Sequence, residues 1–319
     1  MAAASDVHPV GVAPIASDRE SAPGRERRRG SLTGWRITPY LFIVIPVALL
    51  LTFTYIPVLN MFWYSVTDWD GLDKVKNFVG LDNYVRVFTR EEYFRVFYVS
   101  LFYFAASFVQ MAIALYYATI LSFSTRFRNL FKGILFFPYL INGVAIGFIF
   151  LYFFKPGGTL DATLTAVGLE HLSQQWLGNR DIINVSLAST SVWRYTGLNF
   201  VLFLGAIQSI PGQLYEAAEI DGASRWQQFR YIIAPGIKPI IGLSFILAIS
   251  GSLAVFDIPF IMTSGANGSE TFVIKTIVTA FKFNKVGQAS AMAVVLLLIV
   301  LLVTWVQRRL VPDEKVNLT

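Results

Sequence analysis

Apolar runs and polar breaks alternate along the whole chain, and the apolar runs share one length class. They cover Tyr40–Val58, Val96–Phe123, Ile134–Phe154, Ile182–Ile207, Ile240–Met262 and Gln288–Val306. A hydrocarbon core about 30 Å thick is crossed by roughly 20 helical residues, and a helix satisfies its own backbone there. The pattern predicts an all-α membrane protein with six transmembrane helices. The first run is long enough to span and reads as an uncleaved helix rather than a signal peptide. The fourth is the least apolar: Ser189, Trp193, Thr196 and Asn199 recur in it at roughly helical spacing, with Arg194 beside them.

One polar break differs from the rest. Pro211 to Pro239 reads PGQLYEAAEIDGASRWQQFRYIIAPGIKP and carries Glu216, Glu219, Asp221, Arg225, Arg230 and Lys238. Leu214, Ala217 and Ala218 fall at i, i+3 and i+4, one face of a short helix reaching Ile220. Pro211 suits the first turn of that helix, and Gly222 supplies the permissive backbone at which it can end. A second helix is expected from Ser224 to about Ile233, stopping before Pro235. The segment reads as helix, glycine turn, helix, with an alanine-smooth face and an acidic edge. A solvated connector between membrane helices has the same composition.

Composition narrows the chemistry. Of 319 residues 55% are hydrophobic and 14% charged, against about 25% charged in soluble domains. The absence of cysteine excludes disulfides, thiolate metal sites and cysteine nucleophiles. His8 and His171 are the only histidines, too few for a histidine metal centre or a catalytic triad. No G-x-x-x-x-G-K-[ST] motif cradles a phosphate, so the chain is not expected to hydrolyse ATP itself. Catalytic and metal residues are therefore none.

The net charge of +6 is explained by membrane flanks rather than nucleic acid. Lys and Arg gather in the amino-terminal tail (Arg25, Arg27, Arg28, Arg29), in Ser124–Lys132, in the Pro211–Pro239 segment and after the last span. Positive flanks face inward, which puts both termini and the Pro211–Pro239 loop in the cytoplasm. The division expected is a disordered basic cytoplasmic tail over 1–35, a six-helix membrane domain over 36–309, and a cytoplasmic tail over 310–319.

EAAEIDGAS, followed by Phe229, Ile232 and Pro235, resembles the EAA loop of binding-protein-dependent ABC importer permeases. The matching residues are Glu216, Ala217, Ala218, Asp221, Gly222, Ala223 and Pro235. Ala234 stands where that family usually has Leu. The GLDNY stretch within Val79–Phe97, Ile261–Thr271 and Gly287–Ala291 resemble the carbohydrate-type members, and the likeness extends from about Thr38 to Arg309. The resemblance implies the type I importer permease architecture in a bacterial plasma membrane. It implies a second homologous permease subunit, separate ATP-binding subunits coupled through Glu216, Ala217, Ala218, Asp221, Gly222 and Ala223, and an extracytoplasmic solute-binding protein. ATP would be held by the partner subunits, with no cofactor on this chain. The solute implied is a sugar or oligosaccharide; a glycerol phosphate or polyamine is the alternative within the family.

Polar groups inside a span are costly unless they face protein or water. Trp193, Thr196 and Asn199, together with Asp257 near the outer end of the fifth span, are the candidates for a substrate path. An aromatic face stacks on a sugar ring, and amide and hydroxyl groups pair with its hydroxyls. The same groups can instead hold helices together, and Asp257 before Pro259 also suits a capped helix end. Gly143, Gly147, Gly197 and Gly251 are expected to permit close helix packing. In Val79–Phe97, Asp82 is expected to cap a helix with Tyr84, Val87 and Phe88 on one face, suited to lipid heads or an external partner. Two other classes compete. An ion-coupled secondary transporter favours membrane carboxylates and inverted repeats, for which Asp257 alone is thin support. A membrane enzyme needs clustered Asp, Glu or His, and the one acidic cluster here is the loop.

Overall fold

The computed structural model describes residues 33–123 and 128–310. The tails at 1–32 and 311–319, and part of Ser124–Lys132, lie outside the described residues, and with them Arg126 and the basic cluster Arg25, Arg27, Arg28 and Arg29. Among the described residues the elements are helical, apart from one antiparallel bridge between Thr67 and Phe78.

Two compact units divide at Tyr55. The first contains α1 (Thr33–Leu50) and a π-helical turn over Leu51–Tyr55. Its apolar side chains from Phe42 to Tyr55 are exposed. The helical, apolar stretch runs from Phe42 to Ser65, 24 residues.

The second unit begins with α2 (Ile56–Ser65), α3 (Asp82–Thr89), α4 (Glu91–Phe94) and α5 (Phe97–Ser122). Asp82 is the first residue of α3 but makes no side-chain cap; its carboxylate pairs with Arg86 at 3.2 Å, one turn on. Val87 is fully buried, whereas Phe88, expected on the same face, is exposed.

The third apolar run is not one helix. α6 (Arg128–Leu140) and α7 (Gly143–Phe154) meet at 95°. Pro138 near the end of α6 removes one backbone donor and crowds the preceding turn. Asn142 then starts α7 afresh, its side chain accepting from the Val144 N–H at 2.8 Å.

After α8 (Thr159–Ala166), α9 (Ile183–Gln208) runs through the middle of the unit. It packs most extensively on α5 and next on α6. Its low hydropathy has a physical cause: Asn184, Ser186, Thr190, Ser191, Thr196 and Asn199 are buried against protein rather than lipid. Gly197 brings the crossing with α6 close, since a Cβ there would collide with the Leu135 carbonyl and lie 3.0 Å from the Phe136 Cα. Gly147 approaches Ile261 in the same manner. Gly251 does not: nothing lies within 4 Å of its missing Cβ.

The chain turns by 71° from α9 into α10 (Gly212–Ile220). α11 (Arg225–Gln228) follows, then a π-helical turn over Phe229–Ile233 and α12 (Ala234–Gly236). The expected stop before Pro235 does not occur. The helical path passes through Pro235, because the wide π-turn just before it shifts the register of the ladder in which proline cannot donate. α13 (Lys238–Leu253) and α14 (Asp257–Thr263) form the next span, broken at 254–256. α15 (Phe272–Ile277) and α16 (Val286–Leu310) close the chain. Leu298, Leu301, Leu302 and Trp305 form an exposed apolar stripe on α16, at the i, i+3, i+4, i+7 spacing of one helix face. Among the described residues four helices are long and apolar enough to cross a membrane, or up to six when each bent pair is one span.

Candidate functional site: an exposed loop and a polar cavity joined by one helix

α10 ends in a Schellman turn. The Gly222 N–H donates to Glu219 O at 3.1 Å and the Ala223 N–H to Ala218 O at 2.8 Å. Gly222 has φ +74°, the left-handed region, with open space around its missing Cβ, so glycine is needed there for conformation rather than for room. Ser224 restarts the helix in a capping box with Gln227.

One side of this loop is anchored. Tyr215 and Phe229 pack against the cluster built by Phe200, Phe203, Ile207, Ile233 and Ile237. Gln228 is 2% exposed and donates to Ala223 O at 3.4 Å, which holds the turn against α11. Arg225 pairs with Glu219 at 3.7 Å and lies over the Phe123 ring. The opposite side is open. No residue of α10 is buried; Glu216 and Ala217 are exposed, Ala218 half-buried, and Ile220 is 87% exposed. Asp221 caps α10 and Ala223 follows the turn. The six residues singled out by the motif thus lie together at the end of α10 and its turn, four of them exposed and Ala218 and Ala223 half-buried.

The second feature is a cavity of about 360 Å³ among α5, α9, α13 and α14. From α9 it takes Ser191, Arg194, Tyr195, Leu198 and Asn199, and from the start of α14 Asp257. Of the four candidates for a substrate path, Asn199 and Asp257 are brought to this cavity. Trp193 and Thr196 are outside its lining: Trp193 sits 5.2 Å from the Phe150 ring, and Thr196 is buried and donates to Val192 O at 2.6 Å. Gly251 lines the cavity.

Arg194 and Asp257 face each other at 3.8 Å. The arginine is the buried partner, with 13% of its side chain exposed against 53% for the aspartate. Gly143 at the start of α7 makes room for both, since a Cβ there would lie 2.6 Å from Asp257 Oδ2 and 2.8 Å from Arg194 Nη1. The carboxylate therefore rests at a helix amino terminus, where negative charge is favoured. Tyr103, Ser191, Ser244 and Arg194 line this space, and their Oη, Oγ, Oγ, and Nε and Nη1 atoms are buried without a hydrogen-bond partner among the described residues. Buried polar groups are ordinarily satisfied, so these side chains mark the polar part of an otherwise largely apolar wall. The contributions of α5 and α13 were not singled out from the sequence; single Ser, Tyr and Gln residues in apolar runs carry no distinguishing pattern.

The family model described as the binding-protein-dependent transport system inner membrane component matches residues 110–316, and the chain belongs to this family. It is 32% identical over 280 residues to the probable ABC transporter permease protein YurN of Bacillus subtilis, covering 86% of this chain and 96% of that one. It is 30% identical over 274 residues to the multiple sugar-binding transport system permease protein MsmF of Streptococcus mutans, covering 85% of this chain and 94% of the relative. The fold is also that of a chain in a bacterial ABC transporter that imports the acidic polysaccharide alginate, with a TM-score of 0.72 at 22% identity over 87% of this chain and 99% of that one. The protein is a multi-pass inner-membrane permease subunit of an ABC importer, a transport component rather than an enzyme.

Proposed function

We propose that this chain forms one half of the membrane channel of an ATP-driven importer for a sugar or oligosaccharide. The Pro211–Pro239 loop receives the ATP-binding subunits on the cytoplasmic side, and α9 carries their movement to the cavity. The observation that carries the reading is continuity: α9 lines the cavity through Ser191, Arg194 and Asn199, and turns at its end directly into exposed α10. A ligand-driven change must pass through an element that both sites bias, and α9 is such an element. Relatives such as MsmF, named for multiple-sugar transport, and the polar side chains of Ser191, Arg194, Asn199 and Asp257 on the cavity wall support a sugar as solute. A second homologous permease, two ATP-binding subunits and an extracytoplasmic solute-binding protein complete the assembly.

The chain has no native cysteine, so Ala217→Cys gives a single reporter thiol. It should react with a membrane-impermeant maleimide only from the cytoplasmic side, and cross-link to the ATP-binding subunit in the assembled complex. Labelling from the outer face would overturn the proposal, because the loop would then have no access to ATP-binding subunits.

A further inference from the structure

The Arg194–Asp257 pair is too loose to satisfy its own members. At 3.8 Å the two charges attract, but the separation exceeds hydrogen-bond length. A guanidinium offers five donors and no acceptor, a carboxylate accepts only, and the Nε and Nη1 of Arg194 have no hydrogen-bond partner among the described residues. A strong donor and a strong acceptor thus stand side by side, with a gap between them. A vicinal diol fits such a gap. One hydroxyl oxygen accepts from the guanidinium, and the neighbouring hydroxyl donates to the carboxylate. Asn199, whose amide both donates and accepts, lines the same space.

Charge adds selectivity. Arg194 alone would draw carboxylates and phosphates into a bidentate contact, but Asp257 occupies its front and repels a second anion. The pair is neutral as a whole, and a neutral polyhydroxy ligand meets no opposing field.

We propose that Arg194 and Asp257 together read a vicinal diol of a neutral sugar and discriminate against sugars that carry an anionic group. This rests on the cavity being the sugar path proposed above. The test uses the complete importer in proteoliposomes with two probes: an oligosaccharide that the wild type imports, and the same oligosaccharide with its terminal CH₂OH oxidised to a carboxylate. Uptake is normalised to binding of each probe by the solute-binding protein, and assembly is followed by size exclusion. Asp257→Asn should raise the acidic-to-neutral uptake ratio by about tenfold or more. Arg194→Gln should lower neutral-sugar uptake by raising KM, and Arg194→Lys, which keeps charge but not the fork, should not restore it. If Asp257→Asn fails to assemble, Asp257→Ser removes the same charge with less bulk and carries the same expectation. An unchanged ratio in an assembled variant, with the wild type importing sugar normally, would overturn the diol reading and leave the sugar importer standing. A wild-type complex that imports no oligosaccharide but takes up a small organic phosphate would overturn both.

Discussion

The guanidinium carbon of Arg225 lies 4.0 Å from the centroid of the Phe123 ring, tying the first turn of α11 to the end of α5. The same guanidinium donates to Gln228 Oε1 at 3.4 Å, and Gln228 in turn holds Ala223 O. Arg225 therefore positions the Gly222 turn relative to a transmembrane helix. An exposed cation–π contact is worth about 0.5–1 kcal/mol, too little to decide folding. Arg225→Ala should leave the complex assembled while substrate-stimulated ATP hydrolysis falls severalfold relative to basal hydrolysis. Equal loss of basal and stimulated rates would argue against a positioning role.

At Gly222 the demand is conformational. A side chain at φ +74° costs about 1–2 kcal/mol for most residues, less for Asn, and the surrounding space is open. Gly222→Val should abolish substrate-stimulated hydrolysis, and Gly222→Asn should retain most of it. The two variants compared in one hydrolysis assay check this; similar failure of both would show that bulk at the docking surface, not backbone, is the constraint.

Two transmembrane glycines should separate cleanly. Gly197 is pressed against the α6 backbone, which cannot yield as a side-chain tip can; overpacking of this kind costs about 1–3 kcal/mol. Gly197→Val should reduce the yield of assembled complex on size exclusion. Gly251→Ala, with nothing nearby, should assemble at wild-type yield.

Outside the membrane, Asp161 of α8 is held below its ordinary value of 3.8, first by the Ser173 hydroxyl and then by the Trp176 indole and the Gly157 N–H. The Trp176 bond is 2.9 Å and the Gly157 bond 2.8 Å. A carboxyl with a lowered folded pKa stabilises the fold fully above its unfolded value, and that contribution is lost as pH falls through the folded one. Trp176 emission, read as the difference between wild type and Asp161→Asn, should be constant from neutral pH to about 4 and change only below it. A transition near pH 6 would point to a different group.

The helical loop was legible because its signals are local. Gly222, the helix start at Ser224 and the short helix carrying Ala217 and Ala218 each depend on their own turn, and the structure has a glycine turn at Gly222 and a helix starting beside Ser224. Pro235 was misleading, since a proline rule assumes regular α-helix and a π-turn precedes it. The Arg225–Phe123 tie joins residues distant in sequence, and no periodicity encodes such neighbours. The cavity face of α9 shows the limit most clearly. Trp193 and Asn199, six residues apart, point about 120° away from each other on an α-helix. The face that meets the cavity is Ser191, Arg194, Tyr195, Leu198 and Asn199, an i, i+3, i+4, i+7, i+8 pattern. Its charged member sat beside the aromatic and polar residues that drew attention first.

On the proposed function, ATP-binding subunits drive solute movement by seating on α10. Ala217 is the residue to change, because it is exposed and a larger side chain there alters the proposed docking surface rather than a core. ATP-dependent uptake of labelled oligosaccharide is measured in proteoliposomes containing the complete importer, for wild type and Ala217→Trp, with the two permease subunits confirmed as assembled. Ala217→Trp should lose at least about tenfold of the uptake rate, roughly 1.4 kcal/mol or more of coupling. Uptake at the wild-type rate by the assembled Ala217→Trp complex would contradict it.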